Sequence, residues 1–179
     1  MSAPEHTVDD PRFTLGVVIG VPEPQLAELR AWRREFGGPA TEPIAPHITL
    51  ISGVHTAGWG PAAAHVQQVA AQTAGFEVQL GPGAASFRPA SQVVYLPLSG
   101  GAEQCRALHR RLVGDYLQHT SAFAYHPHLT IAQNVPDERL DAALQALRGV
   151  RMSFTVEHID LFDTGVGHWS LVQRLQLGH

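Results

Sequence analysis

The hydrophobic pattern at the start of the chain predicts a strand, a helix and a second strand. Residues 13–21 form a short run of apolar and β-branched residues, which is typical of a buried strand. A Pro-Glu-Pro segment at 22–24 then opens a stretch with the 3.6-residue period of a helix. The residues that follow this period are four apolar residues and one arginine: Leu26, Leu29, Trp32, Arg33 and Phe36. Gly-Gly-Pro at 37–39 ends the helix, and residues 47–51 read as a short strand.

The same order of elements returns later in the chain. Residues 93–98 read as a strand, 103–116 as a helix and 128–132 as a further short strand. The sequence at 17–19 aligns with 93–95 at an offset of 76 residues, while the two histidine segments are offset by 81. Lengthening a surface loop costs little free energy, so a loop can absorb the difference. We interpret the pattern as an internal duplication.

The rest of the chain adds helices and strands in mixed order. The patterns predict helices at 62–73 and 137–147, strands at 76–80, 152–163 and 168–177, and turns at 81–83 and 164–167. This order predicts an α+β fold in which the helices pack outside the sheets.

Length and composition predict one folded domain. The chain has 179 residues, of which 44% are hydrophobic, enough for one sizeable core. We expect a disordered tail over residues 1–11 and a single domain over 12–179. The formal net charge of −4 argues against the broad basic surface that a long nucleic acid requires. Any nucleic-acid partner should therefore be a nucleotide or a short RNA end.

Cysteine usage and hydropathy predict the compartment. Cys105 is the only cysteine, so an intrachain disulfide is impossible and a reducing cytoplasm fits best. No apolar run approaches the roughly 20 residues that span a bilayer, and the first residues lack the apolar stretch of a signal peptide. We expect a cytoplasmic monomer without a membrane contact.

Two short motifs stand out among eleven histidines. Residues 46–50 read Pro-His-Ile-Thr-Leu and residues 127–131 read Pro-His-Leu-Thr-Ile, and each motif closes one strand-helix-strand unit. In a strand, residues two apart project from the same face, so His47 lies beside Thr49 and His128 beside Thr130. The duplication allows the two strands to face one another across a groove. Two imidazoles and two hydroxyls would then surround one phosphate-sized ligand.

These groups suit the cleavage of a phosphodiester without a metal or cofactor. One imidazole can accept a proton from the attacking group while the other protonates the departing oxygen, because both titrate near neutral pH. The threonine hydroxyls can donate hydrogen bonds to the non-bridging oxygens. Two other interpretations remain open: a non-catalytic nucleotide- or phosphate-binding module, and a metal-dependent hydrolase that uses His126 and His128.

The motifs and their strand contexts resemble the two-histidine (2H) phosphoesterase superfamily, which includes the 2′-5′ RNA ligase and cyclic phosphodiesterase branch. The likeness extends over about residues 13–177 and includes a mid-chain Ser-Phe-Arg-Pro at 86–89. It implies a bilobal fold with two pseudo-symmetric lobes, whose antiparallel or mixed sheets line a central groove. It also implies that His47 and His128 are catalytic. In this family the second histidine orients water and the first protonates the leaving 3′ oxygen, although pseudo-symmetry would let a reversed substrate exchange these roles.

One departure from the family pattern concerns charge. Several ligase-like relatives have a basic residue shortly after the second motif, whereas this chain has Gln133, which casts doubt on ligation more than on hydrolysis. Arg88 could supply the charge, or it could form a surface salt bridge. Phe87 and Trp169 are candidates for stacking on a base, with a core role as the alternative.

Overall fold

The computed structural model describes residues 14–56, 58–114, 117, 119, 121 and 123–179. The predicted tail at 1–11, the first residue of the first predicted strand, Phe13, and the predicted helix end at Tyr116 lie outside this part of the chain.

The described residues form the α+β fold that the sequence predicts. The strands are β1 Thr14–Gly20, β2 His47–His55, β3 Phe76–Leu80, β4 Ala85–Ser86, β5 Val93–Gly100, β6 His128–Gln133, β7 Met152–Val156, β8 His158–Asp163 and β9 Ser170–Gln176. The α-helices are α1 Gln25–Trp32, α2 Trp59–Ala71, α3 Ala102–Leu112 and α4 Asp137–Ala146. A π-helical turn at Arg33–Gly37 extends α1.

The strands form two antiparallel halves, and among the named strands one described residue pair joins them. The order is β7-β3-β5-β6-β2-β1-β8-β9, with β4 beside β5, and every ladder between these strands is antiparallel. We call β1, β2, β8 and β9 the first lobe and β3–β7 the second lobe. The lobes join where Ile48 of β2 pairs with Leu129 of β6. The predicted bilobal arrangement is therefore present, with its two sheets joined edge to edge.

Most predicted boundaries lie within a few residues of those in the structure, and two departures matter for the fold. The segment 152–163, predicted as one strand, is two strands separated at Glu157, with β7 in the second lobe and β8 in the first. No glycine or proline marks this break, and the local signal is a change in the phase of the apolar alternation, from Phe154 and Val156 to Ile159 and Leu161. Helix α3 ends at Leu112 rather than at Tyr116, because Val113 adopts an extended conformation and Gly114 follows it.

The helices of the two repeated units are exchanged between the lobes. The π-helical turn after α1 packs on β6, and α3 packs on β2. Gly37 permits the first contact, since a Cβ there would come within 3.1 Å of the Ile131 carbonyl oxygen. Each motif strand is consequently backed by the helix of the other unit.

The strand register shows where the two units are equivalent. Val18 faces Thr49 in the first lobe, and Tyr95 faces Thr130 in the second. The first strands of the units therefore correspond at an offset of 77 residues (18 to 95), one more than the sequence alignment predicts. The motif strands keep the predicted offset of 81.

Buried apolar side chains from both lobes form one core. Ile48 and Leu129 at the junction are fully buried, and so are Val17 and Leu96 on the neighbouring strands. Among the described residues, no helix combines the length and the apolar character needed to cross a membrane.

Candidate active site

The junction between the lobes brings the two motifs together. Because Ile48 pairs with Leu129 in an antiparallel register, the next pair on either side sets His47 beside Thr130 and Thr49 beside His128. Ile48 and Leu129 point into the core, so strand alternation places the four motif residues on the opposite face. All four are half-buried. The two imidazoles and two hydroxyls thus share one groove across the joint.

A β-bulge follows the threonine in each motif strand. In β2 the partner register passes from Thr49 to Ile51, and in β6 it passes from Thr130 to Ala132. The skipped residues, Leu50 and Ile131, are also separated by 81 positions, and both are buried. Each bulge turns two successive side chains into the core.

The second bulge determines the position of Gln133. This residue pairs with Val93, which lies on the same face of β5 as Tyr95, two residues away. Since Tyr95 faces Thr130, the amide of Gln133 projects from the groove face. The structure therefore places Gln133 near the motif groups.

Both catalytic candidates are held in the same tautomer. Nδ1 of His47 donates to the Ala45 carbonyl oxygen at 2.8 Å, and Nδ1 of His128 donates to the His126 carbonyl oxygen at 2.7 Å. A carbonyl oxygen can only accept, so the proton of the neutral ring lies on Nδ1 and Nε2 is free to accept. In His47, Nε2 accepts a hydrogen bond from the Thr49 hydroxyl at 3.1 Å.

The proline before each histidine explains this shared geometry. Proline has no N–H and a fixed φ, and it keeps the preceding residue extended. Pro46 and Pro127 are both buried, so the chain entering each motif strand is fixed by packing. The carbonyl oxygen two residues before the histidine can then accept a hydrogen bond from Nδ1.

Burial depresses the pKa values of both imidazoles. Desolvation lowers the pKa of His47 to about 4, the charges of Arg33 and His128 act in the same direction, and the hydrogen bond to Ala45 opposes them. Desolvation also lowers the pKa of His128, the nearby His126 adds to this effect, and its backbone hydrogen bond opposes it. Burial therefore favours the neutral form of both rings.

Arg33 lies beneath the groove and was not singled out as a site residue by the sequence. Its Nε donates to the Thr130 carbonyl oxygen at 3.0 Å, and one terminal nitrogen donates to the carbonyl oxygens of Thr41 and Ile44 at 3.1 and 2.9 Å. Its side chain is 9% exposed, and its described contacts include no carboxylate. A charged residue within an otherwise apolar helical stripe was the available signal.

His109 of α3 makes the corresponding contact in the other lobe. Its Nδ1 donates to the Leu50 carbonyl oxygen at 2.8 Å, so each lobe's helix binds the motif strand of the other lobe. Arg33 contributes a guanidinium at this position in one half, and His109 contributes an imidazole in the other. The groove is thus symmetric in its motif groups and differs in the side chains below them.

Aromatic rings stand on both sides of the groove. Trp169 lies against His47 with ring centroids 5.8 Å apart, and Phe87 meets His128 edge-on at 5.0 Å. Phe87 also stacks on Tyr95 at 4.1 Å. Trp169 and Phe87 are half-buried, so part of each ring remains accessible.

Arg88 is directed toward α4. Its guanidinium contacts Asp141 at 2.6 Å and Asp137 at 3.5 Å, and Nε donates to the Ser86 hydroxyl at 3.3 Å. Arg88 thus forms the surface salt bridge that the sequence analysis gave as the alternative to a substrate contact. These contacts occupy the guanidinium N–H groups that a phosphate would need. A substrate contact by Arg88 stays a prediction.

The metal-dependent interpretation requires a cluster of metal ligands around His126 and His128. His126 and His128 have ring centroids 5.9 Å apart, and among the described residues no group of three His, Cys, Asp or Glu side chains is placed to hold a metal ion.

Comparison with known proteins identifies the family. The model of the 2′-5′ RNA ligase superfamily matches residues 21–168. A proposed phosphoesterase of Bacillus pumilus is 31% identical over 96 residues, which are 52% of this chain and 56% of that protein. A second proposed phosphoesterase, from Bacillus licheniformis, is 24% identical over 177 residues, covering 91% of this chain and 98% of the relative.

Solved structures share the fold at low sequence identity. Escherichia coli LigT in complex with 3′-AMP superposes with a TM-score of 0.62 at 20% identity, covering 93% of this chain and 99% of LigT. Usb1 of Kluyveromyces marxianus gives a TM-score of 0.53 at 16% identity, covering 92% and 97%. LigT structures also exist with ATP and with NADP+. Since the family model spans most of the sequence, the chain belongs to the 2′-5′ RNA ligase superfamily, whose 2H phosphoesterase members it resembles in both motifs.

Proposed function

We propose that the protein is a metal-independent phosphodiesterase. It hydrolyses 2′,3′-cyclic phosphates or 2′-5′-linked nucleotides, as free nucleotides or at RNA ends, and reversible 2′-5′ ligation is a secondary activity. The observation that carries the proposal is the convergence of His47, Thr49, His128 and Thr130 on one groove face across the Ile48–Leu129 pair. We propose that it acts as a cytoplasmic monomer, with residues 12–179 forming one domain of two lobes.

The reaction uses the two Nε2 atoms of the groove. The phosphate binds between the imidazoles, with its non-bridging oxygens accepting hydrogen bonds from the threonine hydroxyls. One neutral imidazole takes a proton from water as the water oxygen bonds to phosphorus. The other, protonated when the anionic substrate raises its pKa, donates its proton to the ribose oxygen as the P–O bond breaks.

The substrate can lie in the groove in two orientations, which differ in the histidine that activates water. By the family resemblance, His128 activates the water and His47 protonates the leaving 3′ oxygen, which gives a 2′-phosphate. The low pKa of His47 favours the reverse assignment, because burial, with the cation of Arg33 acting in the same direction, keeps this ring neutral. LigT in complex with 3′-AMP is consistent with a nucleotide ligand in either direction.

Turnover of a substrate panel in the presence of chelator tests the proposal. Mixing the protein with 2′,3′-cyclic nucleotides and short 2′-5′ oligonucleotides should give product at a rate that chelator leaves unchanged. His47→Ala and His128→Ala should each lower kcat by about 10²–10⁴-fold, because each removes one proton-transfer group. His179→Ala, at an exposed terminal histidine, is the control and should keep full activity.

The second candidate is a non-catalytic nucleotide-binding module, favoured by the net charge of −4 and by the uncharged Gln133. Calorimetry that detects nucleotide binding without product after long incubation would support this candidate. The same result would contradict the phosphodiesterase proposal, as would wild-type turnover by the double His47→Ala, His128→Ala variant.

A further inference from the structure

A cavity of about 480 Å³ opens beside one half of the site. Its wall includes Thr49 and His128, so it is continuous with the position proposed for the phosphate. Neither His47 nor Trp169 lines it. The cavity therefore distinguishes the two sides of an otherwise pseudo-symmetric groove.

Fixed rings form one wall of this cavity. The rings of His109 and Tyr125 stack with centroids 4.2 Å apart and an interplanar angle of 5°. His109 is held by its bond to the Leu50 carbonyl, and the Tyr125 hydroxyl donates to the Thr49 carbonyl oxygen at 2.8 Å. Hydrogen bonds thus hold both rings to the strand that carries the first motif.

Two phenylalanines extend the aromatic surface. Phe87 reaches the cavity from the His128 side. Phe123 lines it as well, and this residue is 80% exposed. An accessible ring next to a cavity offers a flat surface for a planar ligand.

The chemistry of the lining selects the class of ligand. The described residues around the cavity include no Lys, Arg, Asp or Glu. Its polar groups are the hydroxyls of Ser52, Ser91 and Ser121, the Thr49 side chain and four imidazoles, those of His109, His119, His126 and His128. Aromatic walls with a few hydrogen-bonding groups suit a planar, polar-edged molecule, and a nucleobase has these properties.

We propose that this cavity binds the nucleobase of the nucleotide whose phosphate lies between His47 and His128. This inference rests on the proposed function for the place of the phosphate. Binding of the base in this cavity contributes to the affinity for the nucleotide and places the nucleoside on the His128 side of the groove.

Calorimetry with matched ligands tests the proposal without requiring turnover. The ligands are adenosine 2′-monophosphate and 1-O-methylribose 2′-phosphate, which carry the same phosphate and differ in the base. We expect the nucleotide to bind at least about tenfold more tightly, the effect of stacking one base. Equal affinities would overturn the inference.

Variants of the cavity wall test whether the base contributes to affinity by binding in this cavity. Ala90→Trp fills the cavity from an exposed position, and Phe123→Ala removes the accessible ring. Each should weaken nucleotide binding about tenfold and leave the base-free ligand unaffected. The controls Ala142→Trp on α4 and Leu171→Ala on β9 lie at exposed positions outside the cavity and should change neither affinity.

The outcomes separate the two proposals. Base-dependent binding that the cavity variants abolish, without hydrolysis of any substrate, would support the cavity and contradict the phosphodiesterase. Efficient hydrolysis of cyclic phosphates with and without a base, and an Ala90→Trp variant indistinguishable from Ala142→Trp, would contradict the cavity while supporting the phosphodiesterase.

Discussion

At the scale of single residues, the groove combines neutral imidazoles with one buried cation. Arg33 donates to three carbonyl oxygens, including that of Thr130 in the other lobe, and its charge helps to keep His47 neutral. Burial lowers the pKa of Arg33 to about 10, so the guanidinium stays charged at neutral pH. This cation provides positive potential below the groove where Gln133 provides none.

Replacing Arg33 should change the pH dependence of catalysis. Arg33→Met removes the charge, the pKa of His47 rises, and the limb of the bell-shaped kcat/KM profile that His47 governs moves to higher pH by about one unit. Arg33→Lys keeps the charge and should leave that limb near its wild-type position. The measurement is kcat/KM on a cyclic nucleotide from about pH 3 to 9, a range that includes the His47 pKa of about 4.

A surface charge provides the matched control for this prediction. Arg110→Met also removes one cation, from an exposed position on α3 where it pairs with Glu103 at 3.7 Å. Its profile should match the wild type. An unshifted profile in Arg33→Met, with the fold intact by circular dichroism, would remove Arg33 from the electrostatics of the site.

At the scale of elements, two strands carry the site and one apolar pair aligns them. Ile48 and Leu129 are fully buried at the only described pairing between β2 and β6. The contacts of α3 with β2 and of the π-helical turn with β6 reinforce the junction from behind. Packing at this pair therefore sets the spacing of the groups in front of it.

Truncating the junction pair should destabilise the protein. Ile48→Ala or Leu129→Ala removes a fully buried side chain and leaves a cavity, which lowers the free energy of unfolding by about 2–5 kcal/mol. Leu171→Ala on β9, where the side chain is 54% exposed, should change it by less than about 0.5 kcal/mol. Urea denaturation measures both effects, and equal losses would mean that the junction contributes no special packing.

The elements also show how far the sequence determines the site. The Pro-His-x-Thr repeat and its strand periodicity predict that the motif residues share a face, because both depend on local geometry. The split of 152–163 between the lobes and the reach of Arg33 to the Thr130 carbonyl depend on pairings far apart in the chain. No local period records such pairings, and so neither was predicted.

At the scale of the whole molecule, the site reduces stability in acid. Above about pH 6.5 the His47 ring is neutral in both the folded and unfolded chain and adds no pH dependence. Between that pH and about 4, the unfolded chain binds a proton that the folded protein disfavours, so stability falls as the pH falls. Burial lowers the pKa values of His128, His119 and His158 as well, with the same sign.

Unfolding at several pH values measures this linkage. From pH 6.5 to 4, the His47 contribution to the free energy of unfolding should decrease by at most about 3 kcal/mol, at 1.36 kcal/mol per pKa unit. His47→Gln, which cannot take up the proton, should lose correspondingly less stability over the same range. A variant that loses as much as the wild type would show that His47 does not carry the effect.

The single-pair junction also bears on how the lobes can move. The junction lies directly behind the four motif residues, so a rotation of one lobe against the other about the Ile48–Leu129 pair would displace these residues little. It would displace the outermost strands, β7 and β9, by more, because they lie farthest from the junction in the strand order. The separation of the two imidazoles is therefore the dimension of the groove that such a rotation would change least.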